Sequence, residues 1–103
     1  MIAREWKARC PQRHKAGFTE HLRRTGVHDA TATPGFLGAQ ILVRDIGDEV
    51  EFTLITYWES LVAITAFAGA DIGVARLYPG DEAYALEPDD FVLHYEVVEN
   101  FTP

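Results

Sequence analysis

The sequence predicts an α+β domain with the order β-α-β-β-α-β: four antiparallel-rich strands in one sheet, with both helices on one face. Three observations carry this. Residues 49–69 hold a strand that is apolar in both phases and runs through Glu59-Ser60 directly into a helical pattern. Gly47-Asp48 lies between two strand-like runs and reads as a β-hairpin. The other strand-like runs stand near the two ends of the chain, each separated from the hairpin by a helical segment. This is the split βαβ, ferredoxin-like arrangement. Right-handed crossovers then place the two helices on the same side of the sheet.

In order, Ile2 to Arg9 reads as the first strand, with Ile2, Arg4, Trp6 and Ala8 in one phase and Ala3, Glu5, Lys7 and Arg9 in the other. Pro11 suits the first turn of a helix. That helix is expected to reach about Thr25, stopped by Gly26, on a thin stripe of Phe18 and Leu22. Residues 27–35 read as a loop ending in the Pro34-Gly35 turn, and Phe36 to Ile46 as the second strand. In the third strand, Phe52, Leu54, Thr56 and Trp58 share one phase, and Thr53, Ile55 and Tyr57 the other. A strand with one wet face would alternate apolar with charged, so this one is central. Ser60 is placed to cap the next helix and Gly69 to end it. Asp71 to about Tyr78 is expected as a further short helix, with Val74 and Leu77 inward. Residues 81–90 read as an acidic loop and Phe91 to Glu99 as the last strand.

A chain of 103 residues with 48% apolar content is one domain, residues 1–103, with a single core. The formal charge of −7 argues against nucleic acid or an anionic membrane as partner, since phosphate binding needs a basic surface. Cys10, the one cysteine, has no partner for an internal disulfide. Arg4, Glu5, Lys7 and Arg9 would not occur in a signal-peptide core, and Leu61–Ala70 is too short to span a bilayer, so a cytoplasmic protein is expected. His14, His21 and His28 recur every seven residues, about 10.5 Å along a helix and too far apart to share a metal. No metal is assigned. No phosphate loop, G-x-S-x-G or Cys-x-x-Cys is present, and no cofactor is expected.

Helices on one face leave the other bare. Four strands present roughly 600 Å² there, at the upper limit a monomer tolerates. A second copy of the chain is the simplest cover, which makes a homodimer, two sheets face to face, the expectation. The charges of Glu5 and Lys7 would pair inside that interface or lie at its rim.

The string TYWESLVAITAFAG, the segments Ala75-Arg76-Leu77-Tyr78-Pro79 and Val92-Leu93-His94-Tyr95-Glu96-Val97, the opening Ile2-Ala3-Arg4-Glu5-Trp6 and Pro34-Gly35-Phe36 together resemble the antibiotic biosynthesis monooxygenase (ABM) family of dimeric α/β-barrel proteins. The resemblance covers nearly the whole chain. It implies a pocket between sheet and helices, and an activity such as cofactor-free oxidation of aromatic polyketides or haem degradation. The haem-degrading branch carries an Asn on strand 1, a Trp on the helix after strand 3 and a His in the next helical stretch. Here Arg4, Ile64 and Arg76 stand at those positions. A guanidinium cannot ligate iron as an imidazole does, so haem degradation is disfavoured.

The candidate catalytic residues are Arg4, His94 and Arg76. Arg4 could hold a carboxylate or enolate while Trp6 stacks on the substrate; the plainer alternative makes Trp6 core and pairs Arg4 with an acid. His94, in phase with Glu96, is either a general base or oxyanion donor, or, as is commoner, a packed core or interface histidine. Arg76 and Tyr78 could clamp an anion at the pocket mouth, against the alternative of an exposed salt-bridge rim. Trp58 and Phe67 complete the candidate substrate contacts. The expected function is monooxygenase-like oxidation of a small aromatic or enolisable molecule. The alternative is a non-enzymatic ligand-binding or stress-associated module on the same fold.

Overall fold

The structure, a computed structural model, describes residues 1–103. Its strands are β1 (Ile2–Pro11), β2 (Phe36–Ile46), β3 (Glu49–Trp58) and the short β4 (Glu87–Pro88) and β5 (Leu93–Glu96). They form one antiparallel sheet with β2 at one edge, then β3, then β1. On the far side of β1 lie β4 and β5, paired to successive lengths of it. The helices are α1 (Lys15–Leu22), α2 (His28–Thr31) and α3 (Leu61–Ala68). This is the ferredoxin-like order, with β5 as the fourth main strand.

The hairpin and the β3-to-α3 transition fold as their residues dictate. Ser60 Oγ accepts a hydrogen bond from Ala63 N (3.2 Å) and caps α3, and Gly69 follows its last residue. The second strand has the expected bounds, Phe36 to Ile46.

Three expectations are corrected. The first helix does not stop at Gly26. A π-helical turn, Arg23–Val27, carries it into α2, so residues 28–31 are helical where a loop was expected. Gly26 is buried there, between Leu22 and Leu54, and packing outweighs its poor helix propensity. Residues 71–78 form no helix. Val74 pairs with Phe91, and Gly73 O accepts from Val92 N (2.8 Å), so this backbone is satisfied by a neighbouring chain segment instead. That pairing diverts Phe91 and Val92 from β1, which shortens the last strand to Leu93–Glu96.

Two core clusters lie between sheet and helices. One joins Trp6, Ala8, Cys10, Phe18, Leu22, Val50, Phe52, Leu54 and Val92; the other joins Ala30, Trp58, Ile64 and Phe67. The opposite face of the sheet is more polar than β3 alone implies, because β1 runs through its middle. There Lys7 bonds Thr53 (2.8 Å), and Arg9 and Arg44 both approach Glu51. Leu42, Leu93 and Tyr95 stay about half exposed around that charged centre.

Gly35 holds the turn before β2 with φ +93°, and a Cβ there would meet Ala63 Cβ at 2.5 Å. Gly47 in the hairpin also has positive φ but faces open space. Gly35→Ala should therefore cost about 2–4 kcal/mol, combining backbone strain with overpacking, and Gly47→Ala only about 1 kcal/mol. Urea unfolding of the two variants checks the difference.

Candidate functional site

Between the sheet and the helices lies a cavity of about 30 Å³. That is room for a water or two. Each structural layer contributes to its wall. β1 supplies Arg4 and Trp6, and β3 supplies Leu54 and Thr56 directly opposite them in the strand register. Leu22, Thr25 and Gly26 come from α1 and the π-helical turn, Phe67 from α3, and Arg76, Tyr78 and Asp81 from the segment that follows. The alternation of β1 explains the choice. Arg4 and Trp6 share the covered face with Ala8 and Cys10, while Glu5, Lys7 and Arg9 face the open side.

Arg4 is 3% exposed, yet none of the seven ion pairs in the molecule includes it. Both of its protein hydrogen bonds leave from Nη1, to Ile72 O (2.7 Å) and to His94 Nε2 (2.9 Å). Its guanidinium stands 5.8 Å from the centroid of Phe67. Desolvation lowers its pKa to about 10, which still leaves it charged at neutral pH. Two more donors in this wall are orphaned: Trp6 Nε1 and the Tyr78 hydroxyl are buried with no partner. Burial raises the Tyr78 pKa against the opposing charge of Arg76, and the nearby Asp29 carboxylate adds to the rise, so the phenol keeps its proton.

Arg76 is differently placed. Nη1 donates to Phe67 O (2.6 Å) at the C-terminal end of α3, and Nη2 pairs with Asp29 (3.1 Å). Its guanidinium covers the rings of Phe67 and Tyr78, at 5.1 and 4.8 Å. It therefore straps segment 69–80 to both helices, with its charge already matched. His94 does not line the cavity. It sits on β5 beside Arg4, its register partner, and accepts from it. Trp58 is also behind the wall. Fully buried, it donates to Thr56 Oγ1 (2.8 Å) and packs against Phe67 at 5.3 Å. So Arg4, Trp6, Phe67, Arg76 and Tyr78 meet at the cavity, and His94 and Trp58 support it from outside.

Sequence reasoning missed Leu22, Thr25, Gly26, Leu54, Thr56 and Asp81. A glycine mid-helix was the one available signal, since it marks a close approach. Asp81 bonds His21 across sixty residues (2.7 Å) and accepts from Tyr78 N (2.9 Å), a contact no local pattern announces.

No family model matches the chain, and no curated protein does. Solved structures do. A variant of the protein MhuD with two manganese protoporphyrin IX bound per active site is similar over all of both chains, at 22% identity and a TM-score of 0.67. The Mycobacterium tuberculosis haem-degrader MhuD with two haems in its active site is 27% identical over 99% of this chain and all of that one, with a TM-score of 0.55. A candidate antibiotic biosynthesis monooxygenase from Bacillus cereus is 15% identical over 100% and 97% of the two chains, at a TM-score of 0.63. The chain has the ABM fold. Within that fold, this cavity wall holds no His, Cys or Met, and Tyr78 is its one side chain of a kind that ligates haem iron.

Because Arg4 Nη1 donates, His94 Nε2 must accept, which makes the imidazole neutral with its proton on Nδ1. Desolvation, and then the Arg4 charge, hold its pKa below the ordinary 6.5. Between 6.5 and that lower value the unfolded chain binds the extra proton. Stability should thus fall as pH drops through the window and level off beneath it. An NMR titration of the His94 ring should give a midpoint below 6.5, and in His94→Asn this component of the pH-dependence of unfolding should vanish.

Proposed function

We propose that this chain is a monooxygenase-type enzyme that uses the cavity to bind a small aromatic or enolisable molecule and oxidise it with dioxygen, without a cofactor. The observation that carries the reading is that two buried donors without a partner, Trp6 Nε1 and the Tyr78 hydroxyl, and an arginine, Arg4, whose Nε and Nη2 make no protein hydrogen bond belong to residues lining one largely apolar cavity between sheet and helices. Buried donors are ordinarily satisfied, and a ligand oxygen would satisfy these. The relatives of the same fold, haem-degrading proteins and candidate monooxygenases, agree with the class of chemistry.

The chemistry balances without a reductant. An activated methylene loses a proton to solvent, its enolate stabilised by Arg4 and the neighbouring donors. The enolate passes one electron to dioxygen. The resulting pair combine in a C–O bond, and the peroxide oxygen takes up a proton. Loss of the second C–H proton with O–O cleavage leaves a ketone and releases water. The substrate supplies all the electrons, one oxygen atom staying in the ketone and one leaving as water. The chain supplies a donor-lined space shielded from bulk solvent, with Phe67 and Leu54 in its wall.

A second reading, a non-enzymatic ligand-binding module, is favoured by one observation. At about 30 Å³ the cavity holds no ring system until Phe67 or Tyr78 moves aside. The haem reading rests on the fold relatives, and the cavity wall offers it no His, Cys or Met as axial ligand. Absence of a Soret shift on haem titration would close it.

Oxygen uptake with an enolisable hydroxyaromatic ketone tests the enzyme. Tyr78→Phe removes a donor that has no protein partner, so unfolding free energy should stay within about 1 kcal/mol while the oxidation rate drops tenfold or more. No uptake over a panel of such ketones would leave the binding module standing. The homodimer belongs to the same proposal, supported by the half-exposed Leu42, Leu93 and Tyr95 on the uncovered face. Sedimentation equilibrium should give about twice the 11.5 kDa chain mass. A single 11.5 kDa species at micromolar concentration would refute it.

A further inference from the structure

We infer that the cavity is an anion receptor, and that its ligand is bound as a compact monocarboxylate or enolate, with the anionic oxygen on Arg4. The inference rests on the cavity being the ligand site proposed above, and it extends that reading to a ligand that binds as an anion in its ground state, whether or not it is oxidised.

Charge accounting around the cavity leads there. Four ionisable groups other than Tyr78 bear on it. Arg76 is matched by Asp29, at 3.1 Å. Asp81 is turned to His21 Nε2 and to the backbone N–H of Tyr78. His94 serves Arg4 as a neutral acceptor, which adds no compensating charge. Arg4 alone remains, 97% removed from solvent, with only neutral acceptors on Nη1 and no protein hydrogen bond from Nε or Nη2. A buried cation without a counter-ion is unfavourable, and a bound anion removes that penalty. The neighbours fit the same ligand. Trp6 Nε1, which can only donate, and the Tyr78 hydroxyl both lack a partner, and an anion's oxygens would accept from each. A carboxylate has two oxygens and about four acceptor directions, enough for the guanidinium edge and both orphan donors. His94 is then a positioning residue. Its lone pair fixes Nη1 and leaves the remaining N–H groups for the ligand.

The experiment compares charged and neutral isosteres on the wild-type protein. Formate, acetate and benzoate are titrated against formamide, acetamide and benzamide, with Trp fluorescence and thermal unfolding as readouts. The carboxylates should saturate and raise the melting temperature, and each should bind about 10–100-fold more tightly than its amide. Arg4→Gln should abolish that preference, and Arg4→Lys should retain part of it. If the amides bind as well as the carboxylates, or if no carboxylate binds, the inference is overturned. Oxygen uptake separates it from the enzyme reading. Carboxylate selectivity without oxidation of any ketone leaves the receptor intact and removes the enzyme. Oxidation without carboxylate selectivity does the reverse.

Discussion

The molecule is arranged around a guanidinium placed where a sheet normally presents an aliphatic side chain. Arg4 occupies the covered face of the central strand, flanked in register by Thr56 on one side and His94 on the other. An arginine there must be desolvated, and desolvation is costly unless each donor is met. The fold meets Nη1 with two neutral acceptors, one from the segment after α3 and one from the last strand. Both elements depart from the regular pattern at that place. Residues 71–78 form a turn and irregular chain instead of a helix, and the edge strand is cut to four residues. The cavity is the remainder of this arrangement, the space in front of the donors that the protein leaves unmet.

The other charges in the region have a different role. Arg76 links the carbonyl end of α3, Asp29 of α2 and the ring of Tyr78. His21 and Asp81 link α1 to the turn that follows Tyr78. Together these contacts hold an irregular segment against two helices with few apolar anchors, since Val74 and Leu77 are about half exposed. They also close the cavity on the side away from the sheet. Phe67, between the two guanidinium groups and the indole of Trp58, joins the polar site to the second core cluster.

Much of the fold could be read locally. The period-2 pattern of β3, the Gly47 hairpin and the Ser60 cap are each set by neighbouring residues, and they appear where expected. The misreadings at Gly26 and at residues 71–78 have one cause: there, tertiary contacts determine the backbone. Gly26 is a helix breaker by propensity but lies in a packed π-helical turn, and residues 71–78 trade helical bonds for those of Phe91 and Val92. For the site, the alternation of β1 correctly paired Arg4 with Trp6, yet it could not tell which side of the sheet they faced. His94 illustrates the limit. Its phase with Glu96 suggested an orienting carboxylate, whereas its observed partner is Arg4, ninety residues away. The register of an antiparallel pair decides such contacts, and it is not encoded in either strand alone.

The same register explains how a shared fold can hold different chemistry. By the sequence resemblance, Arg4 and Arg76 stand where a haem-degrading relative has Asn and His. Replacing an amide by a guanidinium turns a neutral hydrogen-bonding point into a fixed positive charge. Replacing an imidazole by a second guanidinium removes the metal donor and adds a cation that needs an acid, which Asp29 supplies. Together the two positions bring two guanidinium groups and no imidazole to the cavity wall. Arg4 is accommodated by Ile72 O in the segment after α3 and by His94 on the last strand, and Arg76 by Phe67 O at the end of α3 and by Asp29 of α2.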